Sequence, residues 1–278
     1  MILWLASYPK SGNTFLRCFL STYFFSQDGK FNFNLLKNIL SYPKNSLFSE
    51  IGVNINNRHE VAKNHLNVQE LINKNKKNFQ FLKTHSSLAR MDGYSFTDLN
   101  NTLGVIYLVR DPRDVVISYA HHNDQTIEQT VKMINENYII GDDRDVVPTY
   151  LGSWSNNYNS WKALNKSNRY LCFKYEDLVT DQEKSFKEIL IFIKHLSKMQ
   201  FEIDENKIKI VLKNIEFEKL KKMETREGFK EAKTNKKGEL IKFFREGKVN
   251  QWENNLDSKI KNSIETACQK EMKELGYL

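Results

Sequence analysis

Proline is scarce, four in 278 residues, and cysteine scarcer still, with Cys18, Cys172 and Cys268 far apart and no C-x-x-C among them. Three isolated cysteines make neither a disulfide framework nor a cysteine-held zinc site, and they suit a reducing compartment. A long apolar run is missing too. The early one, Ile2 to Ala6, is too short for a signal-peptide core or a membrane span, and no basic stretch precedes it. The chain therefore reads as soluble and cytoplasmic, without stable membrane insertion. Core-forming residues are not lacking: 40% are hydrophobic and 12% aromatic, which excludes disorder over most of the length. Forty-two Lys and Arg against 34 Asp and Glu leave a formal charge of +8, so an anionic partner is expected. Nucleic acid, a membrane surface and a phosphorylated small molecule all satisfy that sign.

The apolar run MILWLAS ends in the turn-forming SYPKSGN, and TFLRCFLSTYFF then has helical length, so strand, loop and helix follow one another from the start. Further strands are expected at Phe79 to Lys83, Leu103 to Val109 and Arg169 to Tyr175; the second of these is a continuous apolar run suited to burial on both faces. Helices are expected over Pro112 to His122, Ile127 to Tyr138, Thr149 to Leu164, Asp181 to Leu196, Glu205 to Asn214 and Leu256 to Leu275. Strands alternating with helices imply an α/β fold with a mostly parallel sheet flanked by helices. Ser41 to Asn78, rich in Asn and Lys, gives little periodic signal and is read as loops and irregular helix. Arg226 to Lys248 reads as one basic loop. It holds eight Lys or Arg against four Asp or Glu, half of the chain's charge excess.

Two segments carry most of the chemistry. In Ser7-Tyr8-Pro9-Lys10-Ser11-Gly12-Asn13-Thr14-Phe15 a strand passes into a helix start, where unpartnered backbone N–H groups and roughly half a positive charge from the helix dipole favour an anion. Gly12 admits close approach, and Lys10, Ser11, Asn13 and Thr14 add side-chain donors. The order is not that of a Walker A motif, because the lysine precedes the glycine. A capped helix start would look the same. In Tyr107-Leu108-Val109-Arg110-Asp111-Pro112-Arg113-Asp114-Val115-Val116-Ile117-Ser118-Tyr119, Arg110 leaves a strand's C-terminal end and Ser118 follows about two helical turns later. Both could meet one phosphate; equally, Arg110 could pair with Asp114 and Arg113 with Asp111.

Together YPKSGNTF, LVRDPRDVVISY and REGKVNQW resemble the three cofactor signatures of the PAPS-dependent sulfotransferase family, in the family's order. Phe81-Leu82-Lys83-Thr84-His85, Gly152-Ser153-Trp154 and Lys174-Tyr175-Glu176-Asp177-Leu178 are similar to its K-T-H, pre-helix and Y-E-D-[LM] segments. The resemblance spans residues 2 to about 255. It implies a single sulfotransferase domain over 1–278 with a P-loop NTPase-like sulfotransferase fold, and transfer of a sulfonate from 3′-phosphoadenosine 5′-phosphosulfate (PAPS) to a hydroxyl, less readily an amine, releasing PAP.

Carried over residue by residue, the resemblance implies that Lys10, Ser11, Gly12, Asn13 and Thr14 hold the 5′-phosphosulfate. Arg110, Ser118, Arg245, Glu246 and Gly247 would form the 3′-phosphate site, with Trp252 behind, and Phe15, Tyr175 and Phe217 would line the adenine. Lys10 and Lys83 would stabilise the leaving group without a metal, and His85 would take the acceptor's proton, an imidazole being well matched to that task near neutral pH. Three departures stand out: Asn13 for the usual Thr, Phe15 for a stacking Trp, and the carboxylate of Glu246 beside an anion site. ENNLDSKIKNSIE lacks the K-T-V-E type dimer motif, so dimerisation by that route is not expected. The acceptor, whether a small molecule, saccharide or lipid, is left open, because acceptor pockets come from variable loops, here 24–78, 92–101 and 123–148.

Two other readings compete. A phosphoryl-transfer enzyme of related fold is disfavoured by the missing Walker A and Mg²⁺ carboxylates. A nucleic-acid-binding protein lacks the interleaved aromatic and basic residues such a surface needs. His121, His122, Asp124, Asp142 and Asp143 are too scattered for a metal site.

Overall fold

Six consecutive buried residues, Ile2–Ser7, form strand β1 in a computed structural model that describes residues 1–74, 78–141 and 147–278. A strand buried on both faces belongs in the middle of a sheet. Around β1 lie Leu40–Ser41 (β2), Gln80–Thr84 (β3), Thr102–Val109 (β4) and Tyr170–Lys174 (β5), in the order β2-β3-β1-β4-β5 and parallel throughout. Five parallel strands put their C-terminal ends on one edge, where open α/β sheets bind ligands.

The chain divides into two compact units. The first comprises Met1–Tyr8, Asn38–Val109 and Asn137–Ile203, the second Pro9–Lys37, Arg110–Glu136 and Asp204–Leu278. In the first, the sheet packs against Trp154–Lys162 (α5), Tyr175–Thr180 (α6) and Gln182–Ser197 (α7). Trp4 on β1 is fully buried and donates its indole N–H to Thr102 Oγ1 at 3.0 Å, which satisfies its one polar atom. Arg58–Lys74 (α2) is a regular 17-residue helix where the sequence suggested loops and irregular helix. Its buried residues are Val61, Ala62, His65, Val68 and Gln69, a helical stripe in which two members are polar. Those two are satisfied through Tyr42, whose hydroxyl lies 3.0 Å from His65 Nδ1 and 3.4 Å from Gln69 Nε2.

The second unit is helical: Asn13–Phe25 (α1), Pro112–Asn123 (α3), Ile127–Asn135 (α4), Glu205–Asn214 (α8), Phe217–Glu227 (α9), Trp252–Asn255 (α10), Ser258–Ala267 (α11) and Gln269–Glu274 (α12). Asp111 caps α3 by accepting from Arg113 N at 2.9 Å, with Pro112 at the first helical position. Thr126 and Gln129 form a reciprocal capping box on α4.

Several expected boundaries move. The helix expected from Thr149 starts at Trp154, capped by Ser153, and Thr149–Tyr150 instead pairs antiparallel with Ile139–Ile140, which ends the helix expected through Tyr138. The C-terminal helix breaks at Cys268. The basic stretch is not one loop: Arg226 and Glu227 end α9, and Lys233–Thr234 pairs with Leu240–Ile241 as a short hairpin. Among the described residues, no helix is long and apolar enough to cross a membrane.

Candidate active site

His85 follows β3 directly, at the C-terminal edge of the sheet, and is half-buried. Its Nδ1 lies 2.8 Å from the carbonyl oxygen of Ser7 and 3.3 Å from Ser7 Oγ. A carbonyl can only accept, so Nδ1 carries a proton and the lone pair of the neutral ring sits on Nε2. The backbone around it is tied to the first unit residue by residue. Asn157 Nδ2 donates to His85 O at 2.9 Å, Trp161 Nε1 to Ser86 O at 2.8 Å, Ser87 N to Tyr150 O at 2.8 Å, and Leu88 N to Ser160 Oγ at 2.9 Å. Asn157 is fully buried and accepts in turn from the Tyr107 hydroxyl at 2.8 Å. A Cβ on Gly152, which has φ +70°, would lie 2.8 Å from Ser87 Oγ, so only glycine fits that turn beneath the loop. Lys83, two residues before His85, is half-buried on β3, and Tyr175 is buried at the exit of β5.

In the second unit, the loop after β1 has Lys10 at φ 66° and Gly12 at φ 93°, both left-handed, and Gly12 caps α1 without any side-chain hydrogen bond. A lysine in that region is uncommon and points to a functional constraint. Ser11 Oγ is buried with no hydrogen-bond partner among the described residues. An uncapped helix N-terminus, an orphaned hydroxyl and a lysine together fit an oxyanion. The Lys10 ammonium lies 4.0 Å from the centre of the Phe243 ring. Thr14 Oγ1 donates to Glu231 Oε2 at 3.1 Å, and the buried Arg17 pairs with the same carboxylate.

Arg110 is buried and already engaged. It donates to Lys10 O at 3.2 Å, Lys248 O at 2.9 Å and Asp114 Oδ2 at 3.3 Å, while Asp114 Oδ1 accepts from Trp252 N at 3.0 Å. It thus clamps the Lys10 loop to the REGK segment. The pairings weighed from sequence are both present, since Arg113 also binds Asp111 at 2.6 Å and stacks 3.7 Å from the Trp252 ring centre. Ser118 is half-buried on α3, and Arg245 donates to Gln251 Oε1 at 2.8 Å. A Cβ on Gly247 would lie 2.5 Å from the Phe217 ring, so glycine is needed for that approach. Phe217 joins Phe244 at 6.2 Å, and Phe229 and Phe33 continue the aromatic cluster. Glu246 is exposed and lies 3.7 Å from Lys248 Nζ.

A family profile described as a sulfotransferase domain matches residues 2–276. This chain belongs to the sulfotransferase family. Flavonol 3-sulfotransferase of Flaveria bidentis is 24% identical over 280 residues, covering 99% of this chain and 83% of that relative. Sulfotransferase 2A6 of Mus musculus is 26% identical over 55% of this chain and 50% of its own, so that alignment spans half of the relative. The crystal structure of mouse sulfotransferase SULT7A1 complexed with PAP aligns over 98% of this chain and 84% of that one, with a TM-score of 0.61 at 19% identity. Retinol dehydratase in complex with androsterone and inactive cofactor PAP aligns over 98% and 80%, with a TM-score of 0.63 at 19% identity. These structures share the sulfotransferase fold.

Within this family fold, Lys10, Ser11, Gly12, Asn13, Thr14, Phe15, Arg110, Ser118, Phe217, Arg245, Glu246 and Gly247 all fall in the second unit, and Lys83, His85 and Tyr175 in the first. Sequence reasoning missed Asn157, Ser160 and Trp161, which hold the His85 loop, although the Gly152-Ser153-Trp154 segment flags the helix that bears them. It also missed Glu231, hidden among the charges of the basic stretch. Among the described residues, no group of three His, Cys, Asp or Glu is arranged to hold a metal ion; Asp142 and Asp143 lie outside the described residues.

Proposed function

We propose that this sulfotransferase moves a sulfonate from PAPS to a hydroxyl, or less readily an amine, with His85 as general base. The observation that carries the reading is the Nδ1 contact to the Ser7 carbonyl at 2.8 Å, which leaves Nε2 as the proton-accepting nitrogen. The acceptor O–H proton passes to Nε2 as the acceptor oxygen bonds to sulfur. The bond from sulfur to the bridging phosphate oxygen breaks, and PAP leaves with the negative charge. Lys10 and Lys83 stabilise that charge as it develops, and the uncapped start of α1 with Ser11 and Thr14 holds the phosphosulfate. Arg110 organises the pocket, and Ser118, Arg245 and Gly247 meet the 3′-phosphate. Phe15, Tyr175 and Phe217 supply apolar contacts to the adenine, and no metal takes part.

Acceptor chemistry follows the relatives only in outline. One is named for a flavonol, and another, from Oryctolagus cuniculus, as an amine sulfotransferase. Three relatives carry "cytosolic" in their names, in keeping with a cytoplasmic location. The test is transfer of labelled sulfonate from PAPS to a panel of phenols, steroids, amines, sugars and lipids. Labelled product with one class supports the reading and names the acceptor. Turnover of ATP in Mg²⁺ with no sulfonate transfer would replace it with phosphoryl transfer.

A further inference from the structure

His121 stands one helical turn beyond Ser118 on α3, so the two share a face of that helix. It lines a cavity of about 460 Å³, and the other charged groups around the cavity are Arg245, Lys221, Lys242, Asp124 and Glu239. That volume is within the range of small-molecule sites. Three permanent cations face two carboxylates there, and both carboxylates are engaged elsewhere. Asp124 Oδ2 accepts from Lys236 N at 3.0 Å, and Glu239 Oε2 accepts from Asn235 Nδ2 at 2.7 Å. The cavity therefore favours an anion. His121 is exposed on one side; its partial burial first, then Arg245 and Lys10, hold its pKa below the ordinary imidazole value, and Asp124 opposes them. Its neighbour His122 turns to the Phe243 ring at 5.7 Å.

We propose that His121 is a third ligand of the donor's 3′-phosphate, beside Ser118 and Arg245, and that it takes up a proton from solvent as the phosphate enters. The inference rests on the donor reading given above. A neutral imidazole spares the empty pocket a further positive charge, and a bound dianion reverses the balance by favouring imidazolium. A protonated ring then donates a charge-assisted hydrogen bond that a neutral analogue cannot match. No bond is made or broken besides the proton transfer. Because the protonated form binds, 3′-phosphate recognition weakens as pH rises from about 6.5 to 8; below that window the phosphate's own second ionisation, near pH 6, works the other way.

The test is calorimetry of PAP and of AMP, which lacks the 3′-phosphate, at pH 7 in two buffers of different ionisation enthalpy. Wild type is expected to take up most of one proton more with PAP than with AMP. His121→Gln is expected to lose that excess and about tenfold of its PAP affinity, a change of about 1.4 kcal/mol, with AMP affinity unchanged as the control for folding. His121→Arg, cationic at every pH, is expected to keep the preference for PAP and lose its pH dependence. Equal excess uptake in wild type and His121→Gln overturns the role of His121 alone. A wild type that binds AMP as well as PAP overturns the donor reading, and this proposal with it.

Discussion

The loop that presents His85 and the stretch that presents Arg245 are held by different means. From His85 to Leu88, each residue's backbone is tied to a partner of the same unit, three of the four being side chains of α5. From Gly228 to Lys248 the ties are side chains: Glu231 to Thr14 and Arg17, Lys233 Nζ to Asn123, Phe243 to Lys10, and the Glu224 carboxylate to the backbone N–H of Phe243 and Phe244. Fixed dipoles and hydrogen bonds hold the His85 backbone in place, which under the proposed mechanism fixes the proton acceptor before any ligand arrives. Arg17 and Glu224 are buried, but Glu231 is partly exposed and Lys233 exposed, and charged contacts at such groups are weaker, are screened by salt, and compete with an anionic ligand for the same donors. Under the proposed mechanism the two regions would suit two tasks, orienting a base and yielding to a donor.

The contrast can be broken most directly at its functional ends. His85→Ala is expected to lower kcat by about 10²- to 10⁴-fold while leaving PAP affinity within about twofold, measured by labelled-sulfonate turnover and calorimetry. Lys10→Ala is expected to cost about 10²- to 10³-fold in kcat and to weaken PAP binding as well; a Lys10 variant that keeps full PAP affinity would separate that lysine from the donor. Asn157→Ala probes the rigid side. It removes three hydrogen bonds, to His85 O, Leu151 O and the Tyr107 hydroxyl, so kcat is expected to fall by up to about 10²-fold with donor affinity unchanged and the pH–rate profile displaced. A loss of melting temperature with an unchanged rate would make Asn157 merely structural.

The same unit carries a pH signature. Burial holds His65 down to about 3, against an unfolded value near 6.5. Between those values the unfolded chain binds a proton that the folded chain excludes. Stability from this group is thus fully present above pH 6.5 and falls by about 1.4 kcal/mol per pH unit below it, towards pH 3. Urea unfolding across pH 4–7 measures the slope, and His65→Gln is expected to flatten it. On the displaceable side, Glu231→Gln removes the carboxylate from Thr14 and Arg17 and is expected to tighten PAP binding about two- to fivefold; weaker binding would mean that Glu231 supports the donor instead.

Much of this was legible in the residues. ILWLA and LGVIYLV have no alternation, so both faces had to be buried, and they are the two inner strands that pair most extensively. YPKSGNT and LVRDPRD fall where a strand meets a helix, as their turn and capping residues require. What escaped reading has physical reasons. In α2 the stripe is helical, but His65 and Gln69 occupy core positions that periodicity assigns to apolar residues, and their partners Tyr42 and Phe96 are distant in sequence. Asn157 looks like any surface amide until Tyr107 is placed over it. The Arg110–Asp114 pair shows the reverse: its i,i+4 spacing was visible, yet only the fold reveals that the same guanidinium also holds the carbonyls of Lys10 and Lys248.

β1 pairs with β3 and β4, whose matching residues lie about eighty and a hundred positions later in the chain. During synthesis this apolar strand waits through about half of the first unit's length before both neighbours exist, and loop closure over such distances is slow. The same burial that makes it the spine of the finished sheet makes it a nascent segment in need of shelter, and a place where crowded or rapid expression would turn folding into aggregation.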